Sequence, residues 1–111
     1  MSQTELPDEP IVIDDESHLD DVVAEYDVVL VDFYADWCGP CQMLEPVVEA
    51  LASETDAAVA KVDVDRLQGL AATYGVRGVP TLVLFADGEQ AEQHVGAKPA
   101  DQLRSMIENY T

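Results

Sequence analysis

Between Val28 and Ala35 the chain reads Val-Val-Leu-Val-Asp-Phe-Tyr-Ala, and three residues later Cys38 opens Cys-Gly-Pro-Cys. The first stretch is apolar and β-branched, the make-up of a central strand covered on both faces. From Cys38 the period changes. Leu44, Val47, Val48 and Leu51 recur at helical spacing while Glu45, Glu49 and Glu54 fall elsewhere, which predicts a helix to about Ser53. A buried strand that hands over to a long amphipathic helix is the unit of a layered α/β domain.

The rest of the chain repeats that alternation. Ile11-Val12-Ile13 is a short strand, and Ser17 is the expected cap of a helix over 18–25, where Leu19, Val22 and Val23 share a face. Ala58 to Val64 alternates as a strand, with Ala60, Val62 and Val64 on one face and Lys61 and Asp63 on the other. A short helix over 66–74 ends at Gly75. Thr81 to Phe85 and Glu89 to Val95 form a hairpin about Asp87-Gly88, and Pro99 opens a last helix whose Leu103, Met106 and Ile107 face inward. The order β-α-β-α-β-α-β-β-α favours parallel strands with helices on both faces, closed by an antiparallel hairpin. Residues 1–10, with two prolines and three acids, read as an extended or frayed arm, which leaves 11–111 as one domain.

With 111 residues, 48% of them hydrophobic, the chain can bury a core without a framework of disulfides, and its two cysteines could not build one. The N-terminus has no basic stretch followed by an apolar one, and no apolar run approaches the roughly 18 residues of a membrane span, so the expected location is the cytoplasm. Twenty-three acidic residues against five basic ones give a net charge of −18. That charge disfavours nucleic acid and anionic membranes as partners. The acids are spread from Glu5 to Glu108 rather than gathered in a tail, the pattern of a surface kept soluble by charge. Such a surface repels itself in dilute buffer and is screened in molar salt, which points to a salt-rich cytoplasm such as a halophile's. A merely acidic protein of ordinary salt is the alternative.

The chemistry concentrates at Cys38 and Cys41. Residues three apart in the first turn of a helix share a face, so the two sulfurs can meet. A bridge closing so small a loop adds little through chain entropy, so it is better explained as one made to open and close. The unpaired N–H groups and positive end of the helix dipole favour a thiolate at Cys38. Cys38 is therefore read as the exposed nucleophile and Cys41 as the more buried resolving thiol. Pro40 suits the first turn, Gly39 lets a partner backbone approach, and Pro46 should kink the helix because it cannot donate to Gln42. A zinc site needs four N or S ligands, and only His18 and His94 could complete one, neither at ligand spacing, so no metal is expected. A purely structural disulfide is the other alternative, disfavoured in a reducing cytoplasm.

Asp32 interrupts the apolar central strand. Burial should raise its pKa and suit it to move the proton of Cys41, directly or through water; an acid reaching the sheet edge is the plainer reading. Lys61, mid-strand, is its candidate charge partner or a solvated strand lysine. Trp37, beside the dithiol in a loop, is read as a docking surface. Val79-Pro80-Thr81 starts a strand, and a cis bond there would free the Val79 backbone to pair with an extended substrate. Gly96 is a turn glycine or a close-approach site.

Together these residues resemble the thioredoxin family. The resemblance rests on Val31-Asp-Phe-Tyr-Ala-Asp-Trp-Cys-Gly-Pro-Cys41, Pro46, Ala60-Lys-Val-Asp-Val-Asp65, Tyr74-Gly-Val-Arg-Gly-Val-Pro-Thr81, the Asp87-Gly88 turn and Val95-Gly-Ala97. It implies a thioredoxin fold, a central mixed sheet of about five strands flanked by four helices. It implies a cis Pro80 against the dithiol, Asp32 near Cys41 with Lys61 as neighbour, and a docking patch of Trp37, Gly39, Pro40, Val79 and Gly96. The implied activity is protein-disulfide reduction by a monomer with no cofactor beyond its own dithiol. Its partners would be disulfide-containing client proteins and a flavin-containing thioredoxin reductase. Gln42 stands where many relatives carry a lysine and Tyr34 where many carry a tryptophan, and loss of a cation beside the dithiol weakens thiolate stabilisation. An oxidase or isomerase of the same fold, and a docking subunit with idle thiols, are the other functions this pattern allows.

Overall fold

The computed structural model describes residues 5–111. Strands β1 (Ile11–Val12), β2 (Val28–Tyr34), β3 (Ala58–Asp63), β4 (Thr81–Ala86) and β5 (Glu89–Val95) alternate with helices α1 (Glu16–Glu25), α2 (Gly39–Glu54), α3 (Gln68–Thr73) and α4 (Ala100–Glu108). The five strands form one sheet in the order β1-β3-β2-β4-β5. Strand β3 runs parallel to both β1 and β2, whereas β4 is antiparallel to β2 and to β5. The most apolar strand, β2, therefore sits at the centre, where neither edge meets water.

Period-two alternation sorts the side chains of the sheet between two cores. Val29, Val31 and Phe33 of β2 pack with Leu19, Val22 and Val23 of α1 and with Leu70 and Ala71 of α3. Val28 and Leu30 pack on the opposite face with Leu44, Val48 and Leu51 of α2 and with Leu103, Met106 and Ile107 of α4. By the same alternation Asp32 belongs to the α2 face, and Lys61, two residues beyond Val59 of that core, shares it.

Local signals explain most boundaries. Gly75, at φ 67°, ends α3 in the left-handed conformation, with its N–H bonded to Ala72 and that of Val76 to Ala71. Asp87 and Gly88, both at positive φ, make the tight turn between β4 and β5. The start of α1 differs from the expected Ser17 cap. Asp15 caps it instead, accepting from the His18 N–H at 2.8 Å from an extended backbone. Both residue types cap well, and the chain turns helical two residues earlier than its apolar spacing indicates. Of the arm expected over 1–10, residues 1–4 lie outside the described residues. Within the remainder Leu6 is half-buried against the α1 and α3 core.

Candidate active site

The dithiol stands where the centre of the sheet meets the start of α2. Cys38 is the N-cap residue, in extended backbone, and its Sγ accepts the Cys41 N–H at 3.2 Å. A sulfur thus takes the place of the usual capping oxygen, at the positive end of the helix. Pro40 falls in the first turn, where its missing donor costs nothing. Cys38 and Cys41 are joined as a disulfide with Cα atoms 5.2 Å apart. The expected exposure of Cys38 is not found in this oxidised form: Cys38 and Cys41 are 4% and 3% exposed, so burial does not distinguish them. Ala35, Tyr34, Val64 and Val79 pack around the pair and cover both sulfurs.

The Val79–Pro80 bond is cis, and Val79 packs against the disulfide cluster. Trp37 is 71% exposed, yet its indole Nε1 donates to Asp65 Oδ2 at 2.9 Å, which fixes the ring in one orientation. Trp37, Val64, Val76, Arg77, Gly78 and Val79 line a shallow groove of about 150 Å³. Gly39 and Pro40 are exposed and Gly96 partly so. Gly96 has φ 96°, and an added Cβ would meet nothing within 4 Å, so backbone conformation rather than crowding within the chain calls for glycine there. Its N–H is bonded to the Pro80 carbonyl at 2.8 Å, which ties the end of β5 to the cis bond. The sequence does not mark Asp65 as a site residue, because nothing local distinguishes the one acid that meets an indole 28 positions away.

Asp32 is 1% exposed, and its Oδ1 has no hydrogen-bond partner. Burial pushes its carboxyl up to about 7; Lys61 pulls it down, and Glu45 adds to the rise. The β2–β3 register places Lys61 directly across from Asp32. The ammonium nevertheless takes another partner: Nζ donates to Oε1 of Glu45 and lies 4.4 Å from the centroid of the Tyr34 ring. Burial works to lower the Lys61 pKa, but the bond to Glu45 and the fields of Glu45, Tyr34 and Asp32 outweigh it and hold the ammonium charged. The expected Asp32–Lys61 pair is thus a neighbour relation, with Glu45 as the ionic partner. Gln42, in place of a cation, donates its amide to the Asp36 carbonyl at 2.8 Å.

Two further cavities border this region. One of about 130 Å³ reaches Cys41 between Tyr34, Ala35, Asp36, Gln42 and Glu45. The other, of about 550 Å³, opens onto the Glu45–Lys61 pair from the side of the arm and does not touch the sulfurs. Among the described residues no group of three or more His, Cys, Asp or Glu is arranged to hold a metal ion.

Comparison with known proteins agrees with this geometry. A family model described as Thioredoxin matches residues 9–109. Thioredoxin of Chlamydia trachomatis serovar D is 43% identical over 100 residues, covering 89% of this chain and 96% of its own. The chloroplastic M-type thioredoxin of Triticum aestivum is 41% identical over 93% of this chain, which spans 60% of that longer protein. Among solved structures, a mutant thioredoxin from Halobacterium salinarum NRC-1 superposes with a TM-score of 0.95 at 67% identity, covering 97% of this chain and 96% of that one. The chain belongs to the thioredoxin family of protein-disulfide oxidoreductases, and carries that family's cysteine pair as Cys38 and Cys41.

Proposed function

We propose that this protein is a dithiol electron carrier that reduces disulfides of client proteins in a salt-rich cytoplasm and is itself re-reduced by a thioredoxin reductase. The observation that carries the reading is the Cys38–Cys41 disulfide at the N-terminus of α2, with the Cys38 sulfur held by a helix N–H. A thiolate formed at that position is stabilised by the same N–H and by the helix dipole. The Cys38 thiolate attacks one sulfur of a client disulfide, the client S–S bond breaks, and the other client sulfur leaves as thiolate. Cys41, after losing its proton, attacks Cys38 in the mixed disulfide and frees the second client thiol. Two electrons pass to the client, and Cys38–Cys41 is left oxidised.

Asp32 is assigned the proton of Cys41, taken directly or through water. This assignment draws on its burial, its unpaired oxygen and a pKa near neutrality, where proton exchange is efficient. Lys61 tunes that carboxyl from the neighbouring strand. Docking is assigned to Trp37, Gly39, Pro40, Val79, Pro80 and Gly96, with the groove beside Trp37 as a seat for an extended client segment. The salt-rich cytoplasm is supported by the net charge and by the likeness to a Halobacterium protein. Among the described residues no helix is long and apolar enough to cross a membrane.

Dithiothreitol-driven reduction of insulin disulfides in molar KCl tests the reading. Wild type should be active, Cys38→Ser inactive, and Cys41→Ser should accumulate a client-linked mixed disulfide. A folded wild type without activity, or a Cys38→Ser protein as active as wild type, would overturn it.

A further inference from the structure

We infer that Glu45 is a positioning residue for the proton chemistry of the site: from α2 it holds the Lys61 ammonium away from Asp32, so that the buried carboxyl keeps no fixed counter-ion. The inference rests on the role given to Asp32 above and adds the group that makes that role workable. Parallel register puts Asp32 and Lys61 side by side on β2 and β3, on the same face of the sheet. A lysine in that place has the reach to pair with the aspartate. Such a pair would fix Asp32 as a carboxylate and make it a poor donor of a proton. The ammonium is instead bonded to Glu45 and seated on the Tyr34 ring, and Asp32 Oδ1 is left without a partner.

Glu45 suits this task by its place in the chain. It lies four residues after Cys41, one turn along α2 on the same side, and it lines the cavity that reaches Cys41 as well as the larger cavity near the arm. Its side chain is 46% exposed, so its carboxylate stays in contact with water while the Lys61 side chain, 16% exposed, is held inward. The charged groups acting on Asp32 are Lys61 from β3 and Glu45 from α2. The β4 residue opposite it is the apolar Leu82. Lys61 and Glu45 act on the carboxyl in opposite senses, so their joint effect is smaller than that of Lys61 alone. With its Glu45 end open to water the pair is partly screened and contributes modestly to stability, which leaves the tuning of Asp32 as its main consequence.

The experiment is a carbon-13 NMR titration of the Asp32 carboxyl in the oxidised protein, in molar KCl, for wild type, Glu45→Gln and Glu45→Asp, each repeated with Lys61→Met. Glu45→Gln removes one negative charge and frees the ammonium, so the Asp32 midpoint should fall by about half a pH unit or more. Glu45→Asp should restore most of the wild-type midpoint. In the Lys61→Met background the effect of Glu45→Gln should shrink, because no ammonium is left to release. A midpoint unmoved or raised by Glu45→Gln, or a shift of equal size with and without Lys61, would overturn the inference. Because the titration reads Asp32 itself, it is independent of the functional reading. The role given to Asp32 falls separately if Asp32→Asn resolves mixed disulfides as fast as wild type.

Discussion

Asp32 is a carboxyl with one oxygen unpaired inside an apolar sheet, and its two protonation states differ greatly in cost. Its pKa rises from the ordinary value of about 4 in the unfolded chain to about 7 in the folded one. Between those values the unfolded state gives up its proton first, so stability falls as pH rises through the window and levels off above 7. The loss amounts to at most about 4 kcal/mol for a shift of this size. Asp32→Asn should therefore be more stable than wild type at pH 8, with the difference shrinking towards pH 4. Urea unfolding of the oxidised proteins across that range measures it, and a constant difference would refute the burial argument. The sequence shows this residue plainly, since one acid breaks an otherwise apolar strand. It does not show Glu45 as the partner of Lys61, because that bond joins a helix to a strand 16 residues on, and any of 23 acids fits the charge. Nor does it show the burial of Cys38, which depends on Val64 and Val79 arriving from elsewhere in the chain.

At the level of elements, apolar period and breaker residues act together, and where they compete the cap decides the boundary. The stripe of Leu44, Val48 and Leu51 and the glycine after α3 determine α2 and α3 as expected. At α1 the apolar stripe points to Ser17 as the cap, and the backbone geometry selects Asp15 instead. Asp15→Ala should cost about 1 kcal/mol of stability by leaving the His18 N–H unpaired, while Ser17→Ala, inside the helix and exposed, should change it by a few tenths at most. Chemical denaturation of the two variants separates the assignments; equal losses would return the cap to neither residue. The exposed turn between β4 and β5 was legible for a different reason. Asp-Gly is among the few pairs that accept positive φ at both central positions.

For the whole molecule the governing quantity is a net charge of −18 on a body with a radius of gyration of 12.7 Å. At 0.01 M salt the screening length is about 30 Å, longer than the molecule's radius, so every acid repels every other; at 1 M it is about 3 Å and only neighbours interact. The melting temperature should rise on the order of 10 °C between dilute buffer and molar KCl. Calorimetry at two salt concentrations checks this, and a flat or falling value would remove the argument for a salt-rich cell. The sequence by itself determined the alternation of elements, the central place of β2, the dithiol at the start of α2 and the acidic surface. Each of these follows from local spacing or from composition. Only the tertiary structure decided that Asp65 orients Trp37, that Glu45 takes Lys61 from Asp32, that the end of β5 is bonded to Pro80 and that both sulfurs are covered. Those contacts join residues far apart in the chain. Their partners are chosen by sheet register and helix placement, which no single segment encodes.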